Sequence, residues 1–452
     1  TPVWRSDTSI TNQNATLHRQ VQGAQEDLET AADLCAAAIR RTLYGGYGSP
    51  TPYLSAPGPR SHSLLPRHLA ALDDPRFNPF FFLNKTPADV NAWWQGLSPQ
   101  AQHKLITDRP NLIGNRDGIP AAARDEANRL RLAAARAQIE REIRDLERRL
   151  TGEWEFSPRN PDYSGPQTPA RPLLWDEAGR TLLRDARARL ELIASIEDTI
   201  ARTNEASRQL ITLRLNTATP RAAVAIGDID TASHVAVLVG GTGTTVAGTL
   251  DSLDHKAEQL LSTSRALAPN LKDSTAIVSW VDYHAPPELV NATSPRRAIR
   301  GGSSLAGLAD GIAQSSHVGA QRITLYGHSY GALVVNEAAA AQGSPVSAVV
   351  VAGAPGVGTK SADSAERYSI IAKNDPIRHF PVAFGDTTLG LYPYDAASTS
   401  NHGPWEVLPS LPESRGDGTS TLGISGHSEY LNHGTTSQRQ IAQVIVDQRG
   451  SF

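Results

Sequence analysis

An α/β architecture, a mostly parallel sheet with helices on both faces behind an N-terminal helical region, is what this 452-residue chain predicts. Three observations carry the prediction. Before residue 208, apolar residues recur at spacings of three and four. From residue 210, short β-rich runs alternate with stretches long enough for helices, separated by Gly, Asn and Asp. One strand-to-helix junction among them reads Gly327-His328-Ser329-Tyr330-Gly331.

The helical part begins with residues 9–42, read as a helix whose apolar stripe is Leu28, Ala32, Cys35 and Ile39. Packed on the rest of the chain, it makes Cys35 a small buried hydrophobe. Residues 43–85, rich in Gly, Pro and Ser, read as a long connection holding an apolar knot at 77–83. A short helix around Trp93 and Trp94 follows, its aromatic pair read as packing rather than ligand binding. After a turn at 115–118, Pro120 opens a helix over 121–150 with Leu132, Ala135, Ile139, Ile143, Leu146 and Leu150 on one face. Beyond a Pro-rich loop at 157–172, a helix over 176–208 carries Leu183, Ala186, Leu190, Ile193 and Ile200. Two such helices joined by a loop predict an antiparallel hairpin. Their outer faces interleave Arg with Glu and Asp, a solvated salt-bridged surface rather than a nucleic-acid footprint.

Strands are predicted at 210–215, 222–226, 235–239, 276–281, 323–326, 348–351 and 368–372. Helices fill 250–268, 303–315, 331–341 and, at the end, 437–446. The change of texture divides the chain into a helical region with a long hairpin, 1–208, and a catalytic domain, 209–452.

That domain is called catalytic because of the Gly327–Gly331 motif. It follows a strand and runs into a helix, the context a nucleophile elbow requires. Glycines on both sides of Ser329 avoid clashes with a strained backbone, and the helix N-terminus favours negative charge. A serine hydroxyl needs a histidine base and a carboxylate to orient it, in the chain order Ser, acid, His. Asp375 leaves the carboxyl end of the 368–372 strand, where catalytic groups of open α/β sheets gather, and is the expected acid; Asp282 is the runner-up. His427, in a loop feeding the last helix, is the expected base, with His433 the competitor and His379 read as local structure. Oxyanion donors are expected from the amide of Tyr330 and from the loop Gly240-Gly241-Thr242-Gly243, with Thr242 and Gly243 as the nominated residues. A phosphate-binding loop there is disfavoured, since G-K-[ST] and the G-x-G-x-x-G spacing are both missing. His328, Asp282 and His284 are expected to line the substrate pocket.

Composition narrows the field. A net charge of −3 (43 basic, 46 acidic) offers no field for nucleic acid. A single cysteine excludes an internal disulfide framework and Cys-based metal sites, and the histidines show no H-E-x-x-H spacing, so neither metal nor cofactor is expected. No apolar run approaches the roughly 18–20 residues of a membrane span, and no signal peptide is visible. A cytoplasmic home is favoured, with export left open by an incomplete N-terminus. Methionine is absent where ordinary usage gives roughly nine, read as omission with the numbering shifted accordingly. The motifs bearing Ser329, Asp375 and His427 are uninterrupted, so their assignment does not depend on it.

Taken together the motifs resemble an actinobacterial α/β-hydrolase family of unassigned function. The resemblance covers roughly residues 86–434. It is carried by 86–99 (TPADVNAWWQGLSP), 113–120 (IGNRDGIP), 124–128 (RDEAN), 234–243 (HVAVLVGGTG) and 280–286 (WVDYHAP), then the elbow, Asp375-Pro376 and 427–430 (HSEY). Gly240 stands where members often have Pro. Some members carry an N-terminal helical bundle like small secreted helical-hairpin proteins, of which 9–42 would be a remnant. The resemblance implies an α/β-hydrolase fold and a serine hydrolase of ester-like bonds. The expected function is therefore carboxylesterase or lipase chemistry on an acyl ester, lipids included. The alternatives are a thioesterase or peptidase with the same triad, or a helical interaction protein whose hydrolase domain is vestigial. The long segment 376–426 is expected to form a cap, with 77–83 supplying apolar walls.

Overall fold

The Thr86 hydroxyl accepts a hydrogen bond from the Asp89 amide and the Asp89 carboxylate accepts one from the Thr86 N–H, a capping box that starts helix α1 (Pro87–Gln95). This computed structural model describes Phe82 and residues 85–151, 175–215, 219–288, 295–358, 360, 362, 364–379, 393–394, 405–414 and 419–448. The helix expected over 9–42 with Cys35, the loop at 157–172 and most of the expected cap lie outside the described residues. Ser98 caps α2 (Pro99–Asp108), and a single further turn, α3 (Pro110–Ile113), follows. Each of the three opens on proline, whose missing N–H costs nothing at a helix start. Val90, Trp94, Ile106, Ile113 and Ile119 close around Phe82 in a small core of their own. Phe82 meets Trp93 edge-on at 5.2 Å and is only 3% exposed, so this residue of the 77–83 knot packs in that core instead of walling a pocket.

The two long helices, α4 (Ala121–Thr151) and α5 (Trp175–Ala201), lie antiparallel as expected. Arg187 pairs with Glu147 at 2.8 Å, Arg189 with Glu142 at 2.6 Å and Arg136 with Glu197, so rising numbers on one helix meet falling numbers on the other. α5 stops short of residue 208 because the chain turns at Glu205, whose φ is +59°. The Arg208 guanidinium then donates to the carbonyls of Asn204 (2.6 Å) and Ala206 (2.9 Å).

All seven expected strands form: β1 (Arg208–Arg214), β2 (Arg221–Ile226), β3 (His234–Val239), β4 (Thr275–Val281), β5 (Arg322–His328), β6 (Val346–Ala352) and β7 (Glu366–Ile370). A two-residue β8 (Glu406–Val407) completes a sheet ordered β1-β2-β4-β3-β5-β6-β7-β8. β2 runs against both neighbours; every other pairing from β4 to β8 is parallel. Alternation along the strands feeds two cores. Ala236, Leu238, Ile277 and Val350 face one side with α6 (Asp251–Leu267), while Val235, Val237, Val278 and Val349 face the other with α7 (Arg296–Ser315) and α8 (Gly331–Ala339). The last helix, α9 (Thr436–Ile445), joins the α6 side.

The helical leader enters this architecture directly. Leu132, Ile139, Ile143, Ile193 and Ile196 share one apolar core with Leu210, Leu213 and Val224 of the sheet. Its polar residues also seal the open edge of β1. The Leu210 N–H donates to Asp125 (2.6 Å), and the Leu210 carbonyl accepts from Asn128 (2.9 Å). Asn115 exchanges both bonds with Leu213 at 2.8 and 2.9 Å, and Arg129 donates to the Arg208 carbonyl at 2.8 Å. An unpaired strand edge is a template for aggregation, and here side chains occupy the positions a ninth strand would take. An ion cluster built on the buried pair Arg208–Asp254 ties the same corner to α6: Arg208 reaches Asp254 at 3.2 Å, and the half-buried Arg202 reaches Asp254 at 3.2 Å and also the exposed Asp251. Among the described residues no helix is long and apolar enough to cross a membrane.

The edge seal predicts that Asn128→Ala, which strips buried partners from the carbonyls of Gly114 and Leu210, destabilises the protein by about 2–4 kcal/mol in urea unfolding. A loss below about 0.5 kcal/mol would show that the seal carries no load.

Candidate active site

β5 ends at His328, and the next residue turns the chain sharply into α8. Ser329 holds φ at +54°, a left-handed conformation uncommon outside glycine. Its N–H donates to the Ala352 carbonyl at the end of β6 (2.9 Å), and its carbonyl accepts from Ala332 (3.0 Å) to begin the helix. The flanking glycines are needed for space. A Cβ at Gly327 would stand 2.6 Å from the Gly331 carbonyl oxygen, and one at Gly331 would stand 2.6 Å from that of Val239. Tyr330 is fully buried, and its hydroxyl accepts the Ala298 N–H of α7 at 3.2 Å.

Asp375 and His427, 52 residues apart, meet at the carboxyl edge of the sheet. His427 Nδ1 lies 2.9 Å from both carboxylate oxygens. Asp375 is 1% exposed and takes two more bonds, from the Ile377 N–H at 2.9 Å and from the Tyr430 phenol. Burial alone would raise its pKa, but the bonds from His427, Tyr430 and Ile377 outweigh it and hold the carboxyl below its usual value. Tyr430 is itself held by the Ala372 N–H, which donates to its oxygen at 3.0 Å. Gly353, φ +56°, closes this corner: a Cβ there would lie 2.9 Å from Asp375 Oδ2 and 3.0 Å from His427 Nδ1. His328 Nε2 donates to the His427 carbonyl at 2.5 Å, with the two rings 4.7 Å apart. Burial, then the neighbouring His427, push the His328 pKa down to about 4, so it stays neutral at working pH. Among the described residues no hydrogen bond joins Ser329 Oγ to the imidazole.

The loop after β3 lies against the serine, since a Cβ at Gly241 would be 2.6 Å from Ser329 Cβ and 3.1 Å from its Oγ. One nominated donor is corrected here. The Gly243 N–H, on a residue with φ +73°, donates to the Pro286 carbonyl at 2.7 Å and is not free for an oxyanion. Thr242 keeps its place beside Gly241. Asp282 is also reassigned, because its buried carboxylate is taken by Arg214 at 3.0 Å and Arg221 at 3.5 Å, and the acid facing His427 is Asp375. His284 is exposed and bonded to Thr219 at 2.6 Å, at the surface of the β4 exit. His433 is exposed, and His379 ends the turn Pro376–His379. The sequence reading missed three residues that shape the site. Tyr430 follows His427 at one-turn spacing, and Gly353 follows an expected strand. Tyr283 sits in the 280–286 stretch, and nothing in the sequence distinguishes its hydroxyl from any other buried phenol.

A family model described as alpha/beta hydrolase matches residues 216–384, a span that includes Ser329 and Asp375 and stops before His427. The uncharacterized protein Rv2079 of Mycobacterium tuberculosis is 30% identical over 309 residues, covering 64% of this chain and 43% of that protein. The uncharacterized protein Rv0963c of the same organism is 33% identical over 184 residues, covering 38% of this chain and 68% of that one. A hyperthermophilic esterase from the archaeon Pyrobaculum calidifontis is 16% identical, covering 59% of this chain and 90% of that chain, with a TM-score of 0.35. The chain belongs to the α/β-hydrolase family. It spans less than half the length of the first curated relatives it matches.

The depressed His328 value makes a stability prediction with a definite sign. Unfolded, the ring titrates near 6.5; folded, near 4. Its contribution is therefore complete above pH 6.5 and is lost as pH falls toward 4. Between pH 7 and 4.5 the wild type should lose about 2 kcal/mol more urea stability than His328→Gln, which keeps an amide donor for the His427 carbonyl. Identical pH slopes would contradict the assignment.

Proposed function

We propose that the chain is a serine hydrolase of carboxylic ester bonds, carboxylesterase- or lipase-like, acting through an acyl-enzyme. The observation that carries this reading is the buried Asp375 held by both oxygens to His427, at the same sheet edge as a serine strained into the elbow. Ser329 Oγ attacks the acyl carbonyl carbon while His427 Nε2 takes its proton. The carbonyl oxygen becomes an oxyanion, met by the amides of Tyr330 and of the Gly241-Thr242 segment. Collapse breaks the ester C–O bond, and the imidazolium hands its proton to the departing alkoxide. Water then repeats the sequence, with His427 again as base, and releases the acid and free Ser329. Asp375 remains ionised throughout, fixing the Nδ1–H tautomer and stabilising the imidazolium. The expected substrate is an acyl ester, lipids included, and no step draws on a metal or cofactor.

A panel of p-nitrophenyl esters of rising acyl length, with a matched thioester and anilide, tests the reading. Ser329→Ala and His427→Ala should each lower kcat/KM on the best ester by about 10³-fold or more. Turnover of only the thioester or only the anilide would move the substrate class to thioesterase or peptidase. No Ser329-dependent turnover of any of them would favour an interaction protein with a vestigial site.

A further inference from the structure

We propose that Tyr283 is a positioning residue: by holding the carbonyls of Gly240 and Gly241, its phenol turns the amide N–H groups of Gly241 and Thr242 toward Ser329. The inference rests on the hydrolase reading and names the device that sets its oxyanion donors.

The Tyr283 hydroxyl lies 2.7 Å from the Gly240 carbonyl oxygen and 3.2 Å from that of Gly241. The Gly241 carbonyl is also bonded by Thr244 Oγ1 at 2.7 Å. In a trans peptide the C=O and the N–H of the following residue point in opposite directions. Fixing the Gly240 carbonyl therefore fixes the Gly241 N–H, and fixing the Gly241 carbonyl fixes the Thr242 N–H, each on the side away from Tyr283. Neither amide donates elsewhere among the described residues. Both flank Gly241, where an added Cβ would lie 2.6 Å from Ser329 Cβ. Glycine backbone has wide conformational freedom, so without an anchor these two peptides would sample many orientations. A donor helps a transition state only when its direction is set in advance.

Tyr283 is suited to the task. It is 4% exposed, and its ring stacks on Trp280 at 5.7 Å with 1° between the planes, which leaves the phenol little room to swing. Burial pushes its pKa well above the usual value, so it remains a donor across the working range. Three residues on, Pro286 accepts the Gly243 N–H at 2.7 Å. One stretch leaving β4 thus grips the oxyanion loop on both sides of Thr242.

Tyr283→Phe keeps the stacked ring and deletes only the hydroxyl. On the best ester from the panel, kcat should fall about 10- to 100-fold with KM within about twofold. The affinity for a trifluoromethyl ketone of matched chain length, which binds as a tetrahedral oxyanion, should fall by the same factor. A merely structural role would not produce that split. Thr244→Val, which removes the Oγ1 bond to the Gly241 carbonyl and leaves the longer bond from the Thr244 N–H at 3.4 Å, should act in the same direction with a smaller effect. Unchanged kcat and ketone affinity in Tyr283→Phe would overturn the proposal, as would a fall in kcat with ketone affinity intact. If Tyr283→Phe fails to fold, 4-fluorophenylalanine at position 283, near in size to tyrosine but with no proton to donate, decides: a weaker ketone supports the clamp, an unchanged one overturns it. A wild type with no Ser329-dependent turnover would instead remove the hydrolase reading, a result seen before any Tyr283 variant is measured.

Discussion

Ser329 sits in a left-handed backbone, φ +54°, that is tenable only because strand β5 and helix α8 close on each other over two residues without side chains. A non-glycine residue held there costs on the order of 1–3 kcal/mol, which surrounding structure must supply. The bond from the Ser329 N–H to the Ala352 carbonyl spends part of β6 on this, and the next residue, Gly353, is the floor against which Asp375 and His427 meet. The elbow therefore fixes more than Ser329. It is tied to the last residue of β6, and the glycine that follows leaves room for Asp375 and His427 to lie close by.

The helical leader supports the same arrangement from the other side of the sheet. Asn115, Asp125, Asn128 and Arg129 take up the edge of β1, and the Arg202–Arg208–Asp254 cluster fastens that corner to α6. α6 continues from a turn of π-helix at Val246–Leu250, immediately after the loop that lies against Ser329. The charged members of the cluster would be costly to bury singly, and together they hold the leader in one register on the sheet. The polar residues of the 113–120 and 124–128 stretches, which a sequence shows only as a recurring pattern, thus have a physical task.

Much of this was legible in the sequence because burial imposes period on it. Most of the longer strands are written in runs of Val, Ile, Leu and Ala, and the elbow in glycines at positions where an added Cβ would meet backbone within 2.6 Å. That Asp375 and His427 are the residues to look at follows from chain order and from where strands end, and the two meet at 2.9 Å. β8 escaped notice because two exposed residues, Glu406 and Val407, carry no pattern. Gly243 and Asp282 were misjudged for a common reason: the sequence shows which polar groups lie near a site but not which partner already holds them, here Pro286 for one and Arg214 with Arg221 for the other. Tyr283, Gly353 and Tyr430 act by where a single hydroxyl points or where a side chain is missing. Such roles depend on contacts between distant segments and leave no local period.

The central claim is that Ser329 is an activated nucleophile, and covalent trapping tests it without choosing a substrate. Incubation with a fluorophosphonate, followed by intact mass and peptide mapping, should give a single adduct on Ser329. That adduct should be absent in Ser329→Ala and formed much more slowly in His427→Ala. An unmodified protein, or an adduct on a residue other than Ser329, would contradict the account.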